Sequence, residues 1–238
     1  MTLVALVVFV ILVVVIVFMS IFSPLTRITR SGVDPLSPIP LPILSRCSDL
    51  DEESSWIWQL PCLQTPIECQ WILEDANAIG FVVSQVKDYK TEDSSCQSMT
   101  CWISPNKSKH VASLYDIISR LFHIPQSRFE SLQIVKYTPQ QYFKWHYDAC
   151  NPEDPWCQNQ IQRFGGQRLF TVLLYLNDAY KGGETQFVEN GLNIKGRTGD
   201  AIAFRNLTPE KTIEPRSLHQ GSELIDGTKY IANIWIRG

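Results

Sequence analysis

Length, composition and charge set the first limits on what this chain does. It has 238 residues, of which 45% are hydrophobic, and its formal net charge is −3. That length suits one folded domain of about 100–200 residues together with accessory segments. A near-neutral chain without a long basic run lacks the electrostatic footprint of a nucleic-acid-binding protein, so no nucleic-acid partner is expected.

The N-terminal segment is the most apolar part of the chain. Residues 3–19 are apolar without interruption, and the first charged side chain is Arg27. About 20 apolar residues cross the hydrocarbon core of a membrane, so residues 1–23 are predicted to be a transmembrane signal anchor. A cleaved signal peptide is the alternative. The apolar run is long for one, however, and no Ala-x-Ala-like cleavage site follows.

Prolines mark the next segment, and five of them occur within 19 residues, at Pro24, Pro35, Pro38, Pro40 and Pro42. Proline has no backbone N–H and cannot continue a helix or a central strand. Residues 24–60 are therefore predicted to form an extended linker. The folded domain is placed at residues 61–238.

Two amphipathic helices are predicted near the start of this domain. Thr65 and Glu68 have the spacing of a capping box, and Pro66 takes the first helical position. Apolar residues then recur at helical spacing as far as Ile79. A second helix is predicted over residues 109–122, before Pro125. Both helices are expected to support a sheet.

From residue 131 onward the pattern changes to short strands separated by polar or glycine turns. The predicted strands are residues 132–137, 143–148, 168–176, 184–187, 201–204 and 230–236. Such a series is typical of a β-sandwich or barrel. The predicted fold class is therefore mostly β with supporting helices (α+β).

Four residues in the C-terminal half have the order of a metal and cosubstrate site. His146 and Asp148 are two positions apart, so on a strand they point to the same side, and His219 would come from another strand. Two histidines and one carboxylate form the facial triad of non-haem Fe(II) oxygenases, which leaves coordination positions open. Lys229 lies in an apolar run and needs an anionic partner if it points inward. A carboxylate of 2-oxoglutarate would be such a partner.

The sequence around these residues resembles the prolyl 4-hydroxylases, a family of Fe(II)/2-oxoglutarate dioxygenases. Residues 132–148 (LQIVKYTPQQYFKWHYD) are similar to the first metal strand of that family. Further motifs follow in the family's order: 165–168 (GGQR), 171–177 (TVLLYLN), 182–185 (GGET), 199–204 (GDAIAF), 217–221 (SLHQG) and 229–236 (KYIANIWI). The similarity extends from about residue 66 to the end of the chain.

The resemblance implies a double-stranded β-helix, or jelly roll, with iron near one open end. It implies Fe(II), 2-oxoglutarate and O₂ as cofactor and cosubstrates, with ascorbate as reductant. The implied reaction hydroxylates peptidyl proline to 4-hydroxyproline and converts 2-oxoglutarate to succinate and CO₂. Proline-rich or collagen-like peptides are the implied substrates.

The same resemblance implies the roles of individual residues. The triad would bind iron, and Lys229 would hold the far carboxylate of 2-oxoglutarate. Tyr137 and Thr185 would also contact the cosubstrate, and Trp235 would form a wall of the pocket. Arg168 is a candidate for positioning the peptide.

Two positions depart from the family pattern. The family commonly has glycine and tyrosine where this chain has Gln140 and Phe143. The first difference affects a turn, and the second removes a hydroxyl group from the substrate side of the cleft. Substrate identity is the property that these differences affect most.

Other functions remain open at this point. One is a hydroxylase of the same superfamily that acts on lysine or a small substrate, although lysyl hydroxylases usually have arginine where Lys229 stands. A zinc hydrolase also uses histidine and aspartate, but it would leave Lys229 unexplained. A membrane-tethered binding module with an inactive site is the non-enzyme alternative.

Seven cysteines bear on the compartment. Six of them form close couples, and Cys47 is left over; the couples are Cys62 with Cys69, Cys96 with Cys101, and Cys150 with Cys157. Local pairing of this kind suits an oxidising lumen. The loop of residues 150–157, after the first two triad residues, is expected either to be rigid and overhang the cleft or to be a structured surface loop.

Two sequons, at Asn106 and Asn206, also fit glycosylation in the secretory pathway. Arg27 and Arg30 argue the other way, because they follow the apolar span and the positive-inside rule would leave the domain in the cytosol. The domain is placed in the lumen of the endoplasmic reticulum or Golgi, as in most of the enzymes that it resembles.

Overall fold

The computed structural model describes residues 56–84 and 98–238. The predicted anchor over residues 1–23 and the linker up to residue 55 lie outside the described residues, as do Cys47 and Cys96. Within the two described ranges, no helix combines the length and the apolar character needed to cross a membrane.

Three α-helices occur in the described part of the chain: α1 (Pro66–Ile79), α2 (Lys109–Phe122) and α3 (Pro155–Arg163). The first two confirm the predicted helices. In α1, the capping box is formed, because Glu68 N donates to Thr65 Oγ1 and the Thr65 backbone N donates to Glu68 Oε2. Ser108 Oγ accepts from Val111 N at the start of α2 in the same manner.

The described residues also form thirteen strands. They are β1 (Ile57–Leu60), β2 (Val82–Val83), β3 (Met99–Ile103), β4 (Leu132–Tyr137), β5 (Phe143–His146), β6 (Arg168–Tyr175), β7 (Tyr180–Gly182), β8 (Thr185–Phe187), β9 (Asn193–Ile194), β10 (Ala201–Arg205), β11 (His219–Gly221), β12 (Leu224–Gly227) and β13 (Lys229–Arg237).

Two antiparallel sheets make up most of the fold. The larger sheet has the order β1-β10-β6-β13-β4-β3-β2, and the smaller one has the order β5-β11-β8-β9. Strands β12 and β7 form a separate pair. Most neighbours in the large sheet, such as β1 with β10 and β13 with β4, lie far apart in sequence, as in the jelly roll that the resemblance implied. The predicted class, mostly β with supporting helices, is confirmed.

Apolar side chains form two clusters, one on each face of the large sheet. The first joins α1 and α2 to that sheet and includes Ile72, Ile118, Val172 and Ile234. The second lies toward the small sheet and includes Phe187 of β8 together with residues of the large sheet. The site described below lies on this second side, between the two sheets.

Several boundaries and elements differ from the predictions. Strand β1 pairs with β10 and lies within the predicted linker, so the described fold extends N-terminal to residue 61. Strand β5 ends at His146, so Asp148 lies in the bend that follows and not on the strand. Helix α3 begins inside the segment predicted to be a rigid loop, because Asp154 caps its N-terminus and Pro155 starts it.

The cysteine predictions have mixed outcomes. Cys150 and Cys157 form a disulfide, as predicted. The pairing of Cys62 with Cys69 is wrong, because both are free thiols, one exposed and one buried. Cys101 is also free, and its predicted partner lies outside the described residues.

The two sequons are also unlike each other. Asn106 is exposed, and the side chain of Asn206 is fully buried. A fully buried amide leaves no space for an attached glycan, so the described fold excludes a glycosylated Asn206.

Candidate active site

The three triad residues come together where the edge strand β5 of the small sheet pairs with its neighbour β11. His146 at the end of β5 and His219 at the start of β11 are direct partners in the antiparallel register. Asp148 turns back toward them from the bend after β5. One ligand atom from each of the three residues lies within 4.8 Å of the others. They are the one such cluster of metal-binding side chains in the described residues.

The backbone sets the tautomer of both histidines. His146 Nδ1 lies 2.8 Å from the carbonyl oxygen of Lys144, and His219 Nδ1 lies 2.8 Å from that of Ser217. A carbonyl oxygen only accepts a hydrogen bond, so each Nδ1 carries the proton. In a neutral imidazole the other nitrogen, Nε2, then has a free lone pair, which is the form in which histidine binds a metal.

The electrostatics around His146 and Asp148 favour metal binding. Burial, followed by the neighbouring His219, lowers the pKa of His146 to about 4. Burial acts to raise the pKa of Asp148, but His219, His146, Arg168 and the hydrogen bond from Thr171 together hold it below its ordinary value. Neutral histidine and ionised aspartate at neutral pH are ready to bind a cation without losing a proton.

Lys229 lies deeper in the same cavity, as the first residue of β13. Its side chain is 2% exposed, and Nζ donates a hydrogen bond of 2.6 Å to the carbonyl oxygen of Gly183. Among the described residues no carboxylate lies within ion-pair distance of Nζ. Burial lowers the pKa of Lys229 to about 8, and Glu184 offsets part of that effect. A buried ammonium group in these surroundings favours an anionic ligand.

The turn before β8 leaves space for this lysine. Gly183 has a φ of +68°, and a Cβ placed there would lie 3.2 Å from Lys229 Cδ and 3.0 Å from Leu224 Cδ1. Glycine therefore serves both the turn and the close approach of the lysine stem. Thr185 follows on β8, where its hydroxyl oxygen accepts a hydrogen bond of 3.1 Å from the Tyr175 hydroxyl.

All eight residues predicted for the site line one cavity of about 780 Å³. Besides the triad and Lys229, these are Tyr137, Arg168, Thr185 and Trp235. Strand alternation explains the grouping on the large sheet. Every second residue of β13 and β4 faces the small sheet, and Lys229 pairs in register with Tyr137.

Arg168 and Trp235 form one unit at the side of this cavity. The guanidinium carbon of Arg168 lies 3.5 Å from the centroid of the Trp235 ring, which is a cation–π contact. Arg168 also donates two hydrogen bonds, of 2.6 and 2.9 Å, to the Glu130 carboxylate. Glu130 accepts a third, of 2.8 Å, from Arg237. Sequence reasoning missed Glu130, because nothing in its flanking residues indicates that two arginines converge on it.

The mouth of the cavity carries exposed aromatic side chains that the sequence analysis did not assign to the site. Trp102 of β3, Tyr147 beside the triad and Trp156 of α3 all line the cavity and are exposed. Trp156 lies within the disulfide-closed segment that was expected to overhang the cleft. An aromatic rim of this kind is typical of surfaces that bind proline-rich segments.

The donor set fits Fe(II) and 2-oxoglutarate. Two imidazoles and one carboxylate make the facial triad that non-haem iron prefers. Within the same cavity, the Lys229 ammonium group supplies a cation for the far carboxylate of a dicarboxylic acid. A structural zinc site would instead have four protein ligands, one more than the described cluster provides.

Comparison with known proteins gives the same result. Residues 132–237 match the model of the 2OG-Fe(II) oxygenase superfamily. A putative prolyl 4-hydroxylase of Acanthamoeba polyphaga mimivirus is 37% identical over 80% of this chain and 77% of its own length. A probable prolyl 4-hydroxylase of Arabidopsis thaliana is 32% identical over 73% of this chain, and the match spans 65% of the plant protein.

Solved structures agree. The viral collagen prolyl hydroxylase of Paramecium bursaria Chlorella virus-1, solved with 2-oxoglutarate, is 25% identical and has a TM-score of 0.62. The match covers 77% of this chain and 96% of the viral one. A Trichoplax adhaerens prolyl hydroxylase shares the fold at 17% identity and a TM-score of 0.57. The chain therefore belongs to the prolyl 4-hydroxylase-like 2OG-Fe(II) oxygenases, the oxidoreductases that use Fe(II), 2-oxoglutarate and O₂.

Proposed function

We propose that this enzyme hydroxylates peptidyl proline to 4-hydroxyproline in proline-rich or collagen-like peptides. The observation that carries the proposal is the convergence of the triad, the buried Lys229 and an aromatic-lined mouth on one cavity. The relatives named above support the choice of proline over lysine. The lysine at position 229, where lysyl hydroxylases usually have arginine, supports it too.

His146, Asp148 and His219 hold Fe(II) in this proposal. Bound together, the metal and 2-oxoglutarate supply the oxidising chemistry: one oxygen atom of O₂ enters the substrate hydroxyl group, the other enters succinate, and CO₂ is released. Ligand atoms of the three residues already lie within 4.8 Å of one another, so metal binding requires little rearrangement.

Lys229 pairs with the far carboxylate of 2-oxoglutarate, and Thr185 and Tyr137 flank it. The Nζ bond to Gly183 and the packing around the lysine stem keep the ammonium group aimed into the cavity. Orientation of the cosubstrate then comes from fixed charge-assisted contacts, which removes part of the entropy cost of the reaction.

Arg168, Trp235 and the aromatic rim bind the peptide. Proline-rich segments adopt the polyproline II helix without a large loss of entropy, and their rings pack on aromatic faces. Glu130 holds the Arg168 guanidinium against Trp235, which restrains this wall of the cavity. Trp102 and Trp156 are then the peptide contacts at the mouth of the cavity.

Succinate release and peptide oxidation together test the proposal. Purified protein with Fe(II), 2-oxoglutarate and ascorbate should convert proline-rich and collagen-like peptides to products 16 Da heavier, with the oxygen at C4 of proline. The same peptides with alanine for proline, or with lysine as the one oxidisable side chain, are the controls. Hydroxylation of the lysine peptide alone would replace this proposal with the lysyl alternative.

We also propose that the chain is a single-pass membrane protein with its catalytic domain in the lumen of the endoplasmic reticulum or Golgi. The apolar residues 3–19, the Cys150–Cys157 disulfide and the exposed Asn106 support this location. Expression in a secretory host followed by glycosidase treatment is the test. An unglycosylated Asn106, together with a reduced Cys150, would place the domain in the cytosol.

A further inference from the structure

The two carboxylate oxygens of Asp148 have different surroundings. Oδ1 lies 3.7 Å from His146 Nε2, on the side where the ligand atoms converge. Oδ2 accepts a hydrogen bond of 2.6 Å from the hydroxyl of Thr171, which lies near the start of β6 on the large sheet. Thr171 therefore holds the carboxylate oxygen other than the one beside His146 Nε2.

The neighbours of Thr171 determine where its hydroxyl proton points. Asn206 Nδ2 lies 2.8 Å from Thr171 Oγ1, and an amide nitrogen only donates. Thr171 Oγ1 therefore accepts from Asn206, and its own proton is left for the Asp148 carboxylate. The side chains of Asn206 and Thr171 are 0% and 1% exposed, so bulk water does not compete for these bonds.

The amide of Asn206 also has an unusual feature. Its Oδ1 is buried and has no hydrogen-bond partner among the described residues. Turning the amide over would place that oxygen against the Thr171 hydroxyl and draw the proton away from Asp148. Buried polar atoms without partners are rare and indicate a competing requirement. Here the requirement is that Asn206 donates to Thr171.

We propose that Asn206 and Thr171 are positioning residues that keep Asp148 a one-oxygen ligand of the metal. The inference rests on the proposed role of Asp148 as a metal ligand. A carboxylate bound through both oxygens would occupy a coordination position that a chelating cosubstrate and O₂ need. The Thr171 bond to Oδ2 withholds the second oxygen and keeps that position open for 2-oxoglutarate.

Thr171→Val removes the hydroxyl group and keeps the branched shape. We expect the affinity for Mn(II) alone to change by less than about threefold, while the affinity of the Mn(II)-loaded protein for 2-oxoglutarate falls about tenfold or more. Thr171→Ser keeps the hydroxyl group and is expected to restore the 2-oxoglutarate affinity. Titration calorimetry measures both affinities without turnover, and thermal melting checks that each variant folds.

Asn206 supplies a second and independent comparison. Asn206→Ala removes the donor to Thr171, and Asn206→Asp puts an acceptor in its place, which draws the hydroxyl proton away from Asp148. We expect a larger loss of 2-oxoglutarate affinity for the aspartate variant than for the alanine variant. If Thr171→Val fails to fold, the ranking of the two Asn206 variants still tests the proposal.

Parallel losses of Mn(II) and 2-oxoglutarate affinity in Thr171→Val would show a role in packing alone and overturn the inference. The same conclusion would follow from a serine variant that behaves like the valine variant. Failure of the proposed function looks different, because the wild-type protein would then not bind 2-oxoglutarate with Mn(II) or would not hydroxylate proline peptides.

Discussion

The two faces of the seven-stranded sheet carry different chemistry on the same strands. Along β13, Ala232 and Ile234 pack toward the helices, whereas Lys229 and Trp235 face the cavity. On β6, Val172 belongs to the cluster toward the helices, and its neighbour Thr171 bonds Asp148. Successive residues of a strand point to opposite sides, so each strand contributes to both stability and catalysis.

Mutations on the helix-facing side and on the cavity-facing side of the sheet should therefore have different effects. A truncation on the helix-facing side should lower the free energy of unfolding and leave the kinetics of the folded fraction unchanged. A substitution on the cavity-facing side should change binding or turnover at nearly constant stability. A substitution that changed both the free energy of unfolding and the binding or turnover would contradict this separation of the two faces.

Replacing His219 by alanine should have the largest effect. The variant loses one of three metal ligands, and the metal accounts for several kcal/mol of barrier lowering, so turnover should fall by about three orders of magnitude or more. Succinate release measures the loss. Melting of the metal-free variant near the wild-type temperature would locate the effect in the site. A His219→Ala variant with full peptide hydroxylation would contradict the triad assignment.

Lys229→Ala should raise the 2-oxoglutarate requirement by about two orders of magnitude. Truncating one partner of a buried charge pair costs about 2 to 5 kcal/mol, largely because the other charge is left unpaired. Affinity for Mn(II) should stay nearly constant. Lys229→Arg is the matched control and should lie between alanine and wild type, because the guanidinium group is larger than the ammonium group. A folding defect with an unchanged requirement would make Lys229 structural.

Ile234→Ala tests the opposite face of the same strand. Ile234 is fully buried in the cluster beneath the helices, and its truncation should cost about 2 to 5 kcal/mol of unfolding free energy. Urea denaturation measures this change. The KM for 2-oxoglutarate, determined per folded molecule, should match that of the wild type. A large rise in KM would show that the two faces are coupled through the backbone.

The pH dependence of 2-oxoglutarate binding tests whether the charge of Lys229 holds the cosubstrate. Burial lowers the pKa of this lysine to about 8, and only the charged form pairs with the dicarboxylate. The affinity of the Mn(II)-loaded protein should therefore be level below about pH 8 and weaken by up to about tenfold per pH unit above it. In Lys229→Arg the guanidinium group stays charged, so the decline above pH 8 should disappear. An unchanged decline would assign it to another group.

Gln140→Gly should have the smallest effect. Gln140 has a φ of +72° in the turn between β4 and β5, where the resembling family commonly has glycine. Relief of the left-handed conformation should stabilise the protein by about 1 kcal/mol. Urea denaturation measures the gain, and Gln140→Ala, which keeps a Cβ, should show none. An equal gain for alanine would mean that the backbone strain is absent.

Much of the framework could be predicted because local patterns determine it. The Thr65 capping box with Pro66 places α1, and β4 has the predicted bounds, residues 132–137. The order of the family motifs identified eight of the residues that line the cavity. The predicted end of β5 was less accurate. The strand ends at His146, because the chain bends there and brings Asp148 back toward the histidines.

Other features could not be predicted, because they depend on contacts between distant residues. Glu130 meets Arg168 and Arg237, which lie 38 and 107 positions away in the chain. Cys62 and Cys69 are close in sequence yet remain free thiols, whereas Cys150 and Cys157 are joined.

Asn206 shows the same limit most clearly. Its sequence context predicted a glycosylated surface residue, and the fold buries it behind the Thr171 bond to Asp148. The sequence by itself therefore determined the types and order of the groups that bind metal and cosubstrate, because strand periodicity and motif spacing are local. The tertiary structure alone decided which side chains orient those groups, because burial and hydrogen bonding arise only when strands far apart in the chain are brought together.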